Sequence, residues 1–189
     1  KRGKPSKPVE KWLDESALPP LYLLDGSPRT TDMLRFLLYR MARVKEIRPD
    51  VEAKPLLRLI DRSRSGDFAA HLFKIYIHND GDAKLKYLLT LAALTGDEQV
   101  AEELYDAVQH WINTRRLKMA EHGVSALAIQ GSGKALRAVE FLSRKYRVRK
   151  PGVGAAALAA LQNAAAELGI GIHEPDAPRN GSSFSCAIP

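Results

Sequence analysis

Gly131-Ser132-Gly133-Lys134 has the residue types of a phosphate-binding loop. Such a loop needs G-x-x-x-x-G-K-[ST]: backbone N–H groups cradle the phosphates, the lysine reaches them and the hydroxyl meets magnesium. Here the first required glycine is Ala128 and the hydroxyl position is Ala135. The segment before it has helical rather than strand periodicity. Gly131 therefore reads as a glycine ending one helix in the left-handed region, and Ser132 as the N-cap of the next. The five histidines, His71, His78, His110, His122 and His173, form no H-E-x-x-H, and Cys186 is the single cysteine, so zinc-ligand spacing is missing. Asn79 to Lys84, "NDGDAK", has calcium-loop character, but the twelfth position is Leu91 counted from Asp80 and Ala93 counted from Asp82, where a glutamate is needed. It reads as a helix–helix turn with Asp82 as N-cap. "GSSFSC" near Cys186 lacks the G-x-S-x-G context of a nucleophile. No catalytic residue, cofactor or metal is expected.

Two basic clusters remain. One holds Arg115, Arg116 and Lys118; the other holds Arg144, Lys145, Tyr146, Arg147, Arg149 and Lys150. Cations of this density could meet phosphates, with Tyr146 offered for base stacking. They could equally complement the dipoles of helix C-termini. The whole chain points the same way as the clusters: 29 Lys+Arg against 22 Asp+Glu give +7 and favour acidic partners without naming one. At 189 residues, 45% of them hydrophobic, the chain can bury a sizeable core. A lone cysteine excludes an intramolecular disulfide, and no apolar run reaches the roughly 20 residues of a membrane span. The start, "KRGKPSKPVEKWLDE", has no apolar signal region and no initiating Met. A piece of a longer, cytoplasmic protein, or a processed one, is the expectation.

The elements that must position these residues are helices. Thr31 reads as an N-cap before the stripe Met33, Leu34, Leu37, Leu38, Met41. A short helix is expected near Pro55. Asp67, Asp82 and Asp97 each open a further apolar-periodic run. Later helices are predicted over 117–130, 132–147 and 151–168, the last with Pro151 at its start and Gly169 after its end. "LYLL" and "FKIYI" are the sole strand candidates, both short. Trp12, Tyr105, Trp111 and Phe141 are expected in the packing. An internal pattern recurs: "LTLAALTGDEQVAEELYDAV" from Leu89 and "VSALAIQGSGKALRAVEFLS" from Val124 align at an offset of 35 (131 minus 96). Leu104 then meets Val139, Trp111 meets Tyr146, and Arg115 meets Lys150. A helix pair of that length cannot bury its apolar faces alone, so neighbouring pairs stack. Stacking would place both basic clusters on one edge. The alanine-rich "GVGAAALAALQNAAAELG" reads as the first helix of a third unit.

Four segments, "WLDESALPPLYLLDG", "GDFAAHLFKIYIHNDGDAKLKYLLTLAALTGDEQVAEELYDAVQHW", "HGVSALAIQGSGKALRAVEFLSRKYR" and "GAAALAALQNAAAELGI", occur in an order that resembles the helical-repeat region of large bacterial proteins of the molybdate-metabolism-regulator-like family. The family's recurrent K-x-x-x-L-x-x-L-x-x-L-G-D and I-G-[ST]-x-x-A-L segments look like Lys84 to Asp97 and Ile129 to Leu136. The resemblance covers Trp12 to Ile170. Beyond it the family tends to continue into an acidic segment ending in Val-Pro, which this chain lacks. The resemblance implies an all-helical, HEAT-like module of a multidomain cytoplasmic protein, some of whose relatives carry a WGR domain, and it supplies no catalytic residues. The expectation is thus an all-α chain, a HEAT/armadillo-like α-solenoid of stacked antiparallel helix pairs with about 7–8 helices. Residues 1–11 would be a basic linker, 12–170 the helical-repeat domain and 171–189 an irregular tail. The expected function is non-enzymatic scaffolding of a protein partner or neighbouring domain. Alternatives are a nucleic-acid-binding basic edge and a non-catalytic fragment of a larger enzyme.

Overall fold

A computed structural model describes residues 17–168; Trp12, Gly169, His173 and Cys186 lie outside them. Eight α-helices occur among the described residues: α1 (Thr31–Ala42), α2 (Lys54–Leu57), α3 (Gly66–His78), α4 (Lys86–Thr95), α5 (Glu98–Asn113), α6 (Leu117–Gln130), α7 (Gly133–Lys145) and α8 (Pro151–Leu168). A 3-10 turn, Ala83–Leu85, leads into α4. The chain is all-α there. "FKIYI" lies inside α3, and the "LYLL" segment makes only isolated antiparallel bridges, Tyr22 to Pro28 and Leu23 to Ile60.

Local chemistry explains most helix ends. Asp97 Oδ1 accepts from Gln99 N and Val100 N at the start of α5. Ser132 Oγ accepts from Ala135 N at the start of α7. Gly131 closes α6 at φ +77°, a conformation that costs glycine no Cβ clash. Pro151 begins α8. Two expected caps are displaced. Thr30, not Thr31, caps α1, its Oγ1 accepting from Met33 N. Asp67 sits in the first turn of α3 instead of capping it.

The helices pack in a regular order. α3 lies against α4, α5 against α6, and α7 against α8; α4, α6 and α8 also touch in sequence, as do α3, α5 and α7. α1 packs on α4. One hydrophobic core runs through all of these contacts. Trp111 of α5 is central, meeting Phe73 and Tyr76 of α3 edge-on with ring centroids 6.2 and 6.1 Å away. Gly123 of α6 permits the close crossing with α5: a Cβ there would fall 2.5 Å from Val108 Cγ2 and 2.8 Å from Trp111 Cζ3. Tyr105 is partly buried against the core. Phe141 is not in it; it is 50% exposed, because the buried stripe of α7 runs through Ala135, Val139 and Leu142 to Tyr146 and Phe141 falls one position off.

Candidate functional site

The sequence-derived cations come together only in part. Arg116, in the α5–α6 loop, pairs with Asp80 of the α3–α4 turn. Lys118 pairs with Glu121 at 2.8 Å, and Gly152, just after the second cluster, lies against that same carboxylate. Both clusters thus sit at the same end of the helices. Many of their charges are already engaged. Arg144 pairs with Glu140 at 2.7 Å. The Lys145 ammonium sits 5.2 Å from the Phe141 ring centroid and 5.3 Å from that of Tyr146. Arg115, Arg147 and Arg149 are exposed and carry no ion pair among the described residues, while Lys150 is half-buried. Tyr146 corrects the sequence reading: at 8% exposure it belongs to the core and is closed to a stacking base.

Lys134 pairs with Glu102 of α5, and a helix precedes its loop, so the Gly-Ser-Gly-Lys turn joins helices and has no phosphate cradle. Among the described residues no group of three or more His, Cys, Asp or Glu side chains gathers as a metal-ligand set. His78 Nδ1 lies 2.8 Å from the carbonyl of Lys74 on its own helix.

A feature absent from the sequence reading is larger. A groove of about 1220 Å³ opens across α4 and α6. Its floor includes Lys86, Leu94, His122, Ser125 and Ile129. Its far wall is α8, presenting Ala156, Ala159, Ala160, Asn163 and Ala164. Its near wall is the segment from Lys45 to Arg62, which contributes Lys45, Arg48, Lys54, Arg58 and Arg62. Among the described residues Glu46 and Glu121 are the acidic ones on the lining.

Specific bonds hold the near wall. The Asp50 carboxylate accepts from Arg40 Nε at 2.9 Å and Nη2 at 3.2 Å, and from the backbone N–H of Glu52 and Ala53. Burial would raise the Asp50 carboxyl, but the Arg40 hydrogen bonds and charge prevail and hold it below its ordinary value. Leu24 N donates to Leu59 O and Asp61 N to Tyr22 O, tying the wall to the preceding segment. Arg62 reaches the C-terminus of α4, donating from Nε to Gly96 O at 2.8 Å and from Nη2 to Ala93 O at 3.3 Å. Burial lowers the Arg62 guanidinium, with Asp97 acting in opposition.

The floor is fixed from beneath. Tyr76 Oη lies 3.2 Å from His122 Nδ1. Burial raises the Tyr76 phenol to about 12, so it keeps its proton near neutral pH. Burial also lowers His122, reinforced by the charge of Lys86 and opposed by that of Glu121. Ser125 Oγ donates to its own helix at Glu121 O. The groove therefore offers cations on one side, small methyl groups on the other and a neutral imidazole between them. The i, i+4 spacing of Lys54, Arg58 and Arg62, and of Ala156, Ala160 and Ala164, was the available sequence signal.

No protein-family model, curated protein or solved structure matches this chain.

Proposed function

We propose that the chain is a short HEAT-like α-solenoid acting as a non-enzymatic interaction module of a larger bacterial protein, related to the molybdate-metabolism-regulator-like family. It would dock a partner polypeptide, or a neighbouring domain, in the groove over α4, α6 and α8. The observation that carries this reading is the groove itself, with its floor made by successive helices in contact. The solenoid arrangement draws support from the pairing of α3 with α4, α5 with α6 and α7 with α8. It also draws support from the matching ends of α4 at Thr95 and α6 at Gln130, each followed by Gly and a capping residue. Stacked helical units characteristically present such extended surfaces.

The test is site-specific photocrosslinking in native cells. A photoreactive residue replacing exposed Ala159 in the groove should capture a discrete polypeptide or an adjoining domain. The same residue at exposed Asp106 on α5 should not. Equal capture at both positions, or none at Ala159, refutes the docking role. The second reading, nucleic-acid binding at the edge, draws support from exposed Arg115, Arg147 and Arg149. Replacing all three with glutamate should then abolish salt-sensitive binding to DNA or RNA; unchanged binding, or its absence in the parent chain, rejects that reading.

A further inference from the structure

We infer that the groove's partner is an acidic, amphipathic polypeptide segment, its carboxylates facing the near wall and its aliphatic side chains facing α8. This inference rests on the docking reading above. Charge complementarity carries it. Among the described residues the near wall and floor contribute Lys45, Arg48, Lys54, Arg58, Arg62 and Lys86, against Glu46 and Glu121. Glu46 is matched by Arg48, and Glu121 by Lys118 outside the groove. Arg62 is committed to α4 carbonyls. Lys45, Arg58 and Lys86 carry no ion pair among the described residues, and Lys45 and Arg58 are exposed. Lys54 has an interaction of its own, so Lys45, Arg58 and Lys86 are the described lining cations placed to meet carboxylates.

The opposite wall determines the rest of the partner's chemistry. Ala159 is exposed and Ala156 half-buried, so α8 offers methyl-sized relief into which branched aliphatic chains fit. No Phe, Tyr or Trp side chain lines the groove among the described residues. Single-stranded bases therefore lack the aromatic platforms on which they stack, while a polypeptide loses nothing by that composition. A segment with Glu or Asp along one side and Leu or Val along the other satisfies both walls at once.

The experiment is fluorescence anisotropy on the full chain with three labelled designed peptides. They share a leucine face and carry Glu, Gln or Lys on the polar face. The Glu peptide is expected to bind, with affinity falling as salt rises, and to bind at least tenfold tighter than the Lys peptide. The triple variant K45E/R58E/K86E, and the milder K45Q/R58Q/K86Q as a control for folding, should weaken it by at least tenfold and severalfold respectively. Reversal of Arg147 and Arg149 should leave it within twofold. Gln or Lys peptides binding as tightly as Glu, with loss on Ala159→Trp, would overturn the acidic partner and leave the docking groove standing. Failure of every peptide to bind would overturn both. Oligothymidylate outcompeting the Glu peptide in the groove would overturn the proposal in favour of nucleic acid. Binding that emerges only after removal of residues 169–189 would overturn it in favour of the chain's own tail.

Discussion

At the scale of single residues, burial accounts for most of the chemistry. His122 is held neutral by burial and by Lys86, so its folded pKa lies below the unfolded value of 6.5. The unfolded chain then binds a proton first as pH falls. The stability associated with His122 is therefore complete above pH 6.5 and is lost as pH drops through that value towards the lower folded pKa. Chemical denaturation at stepped pH should show this slope in the parent chain and a shallower one in His122→Asn. Equal slopes would mean that another group sets the acid limit. Gly123 gives a second prediction. With Val108 and Trp111 so close, Gly123→Ala should cost roughly 1–3 kcal/mol through overpacking, outweighing the gain in helix propensity. An unchanged melting temperature would show that α5 and α6 separate freely. Phe141 and Tyr146 show what residue type conceals. Both are aromatic and five positions apart, yet Phe141 on α7 is exposed while Tyr146, the residue that caps the end of α7, is buried.

At the scale of elements, short-range chemistry was readable and long-range chemistry was not. Asp97, Ser132, Gly131 and Pro151 mark helix ends because each acts within a few residues of itself. Ser132→Ala should therefore cost about 0.5–2 kcal/mol, measurable by urea unfolding, with α7 showing faster amide exchange. No loss would mean that packing alone ends the helix. Asp67 misled because α3 already begins at Gly66; the flanking Ser65 makes no cap bond, its Oγ donating to Asp61 O and accepting from Tyr22 N, 43 positions away in sequence. The groove was hidden for the same reason. Its walls come from the segment 45–62 and from α8, brought together only by the packing of α4 and α6 between them. Asp50 is the bracket of the near wall. Asp50→Asn should destabilise by roughly 1–3 kcal/mol, because the charged hydrogen bonds to Arg40 are lost, and should raise exchange across 52–60. Exchange unchanged in that segment would contradict the bracketing role.

At the scale of the whole molecule, the surplus of positive charge is distributed over two places with different character. At the helix ends Arg116, Lys118, Arg144 and Lys145 are engaged by Asp80, Glu121, Glu140 and aromatic rings, while Arg115, Arg147 and Arg149 stand exposed on an edge outside the groove. In the groove Lys45, Arg58 and Lys86 face a cavity with an alanine wall. Net charge alone could not tell these apart, since it records amount and not placement. No described helix is long and apolar enough to cross a membrane. The most direct test is a methyl-resolved NMR titration of the alanine-labelled, full chain with whichever polypeptide is crosslinked at Ala159. Chemical-shift changes should concentrate at Ala156, Ala159 and Ala160, while the amides of Arg147 and Arg149 stay in place. Shifts confined to residues 147–149, with the alanine methyls unmoved, would contradict docking in the groove.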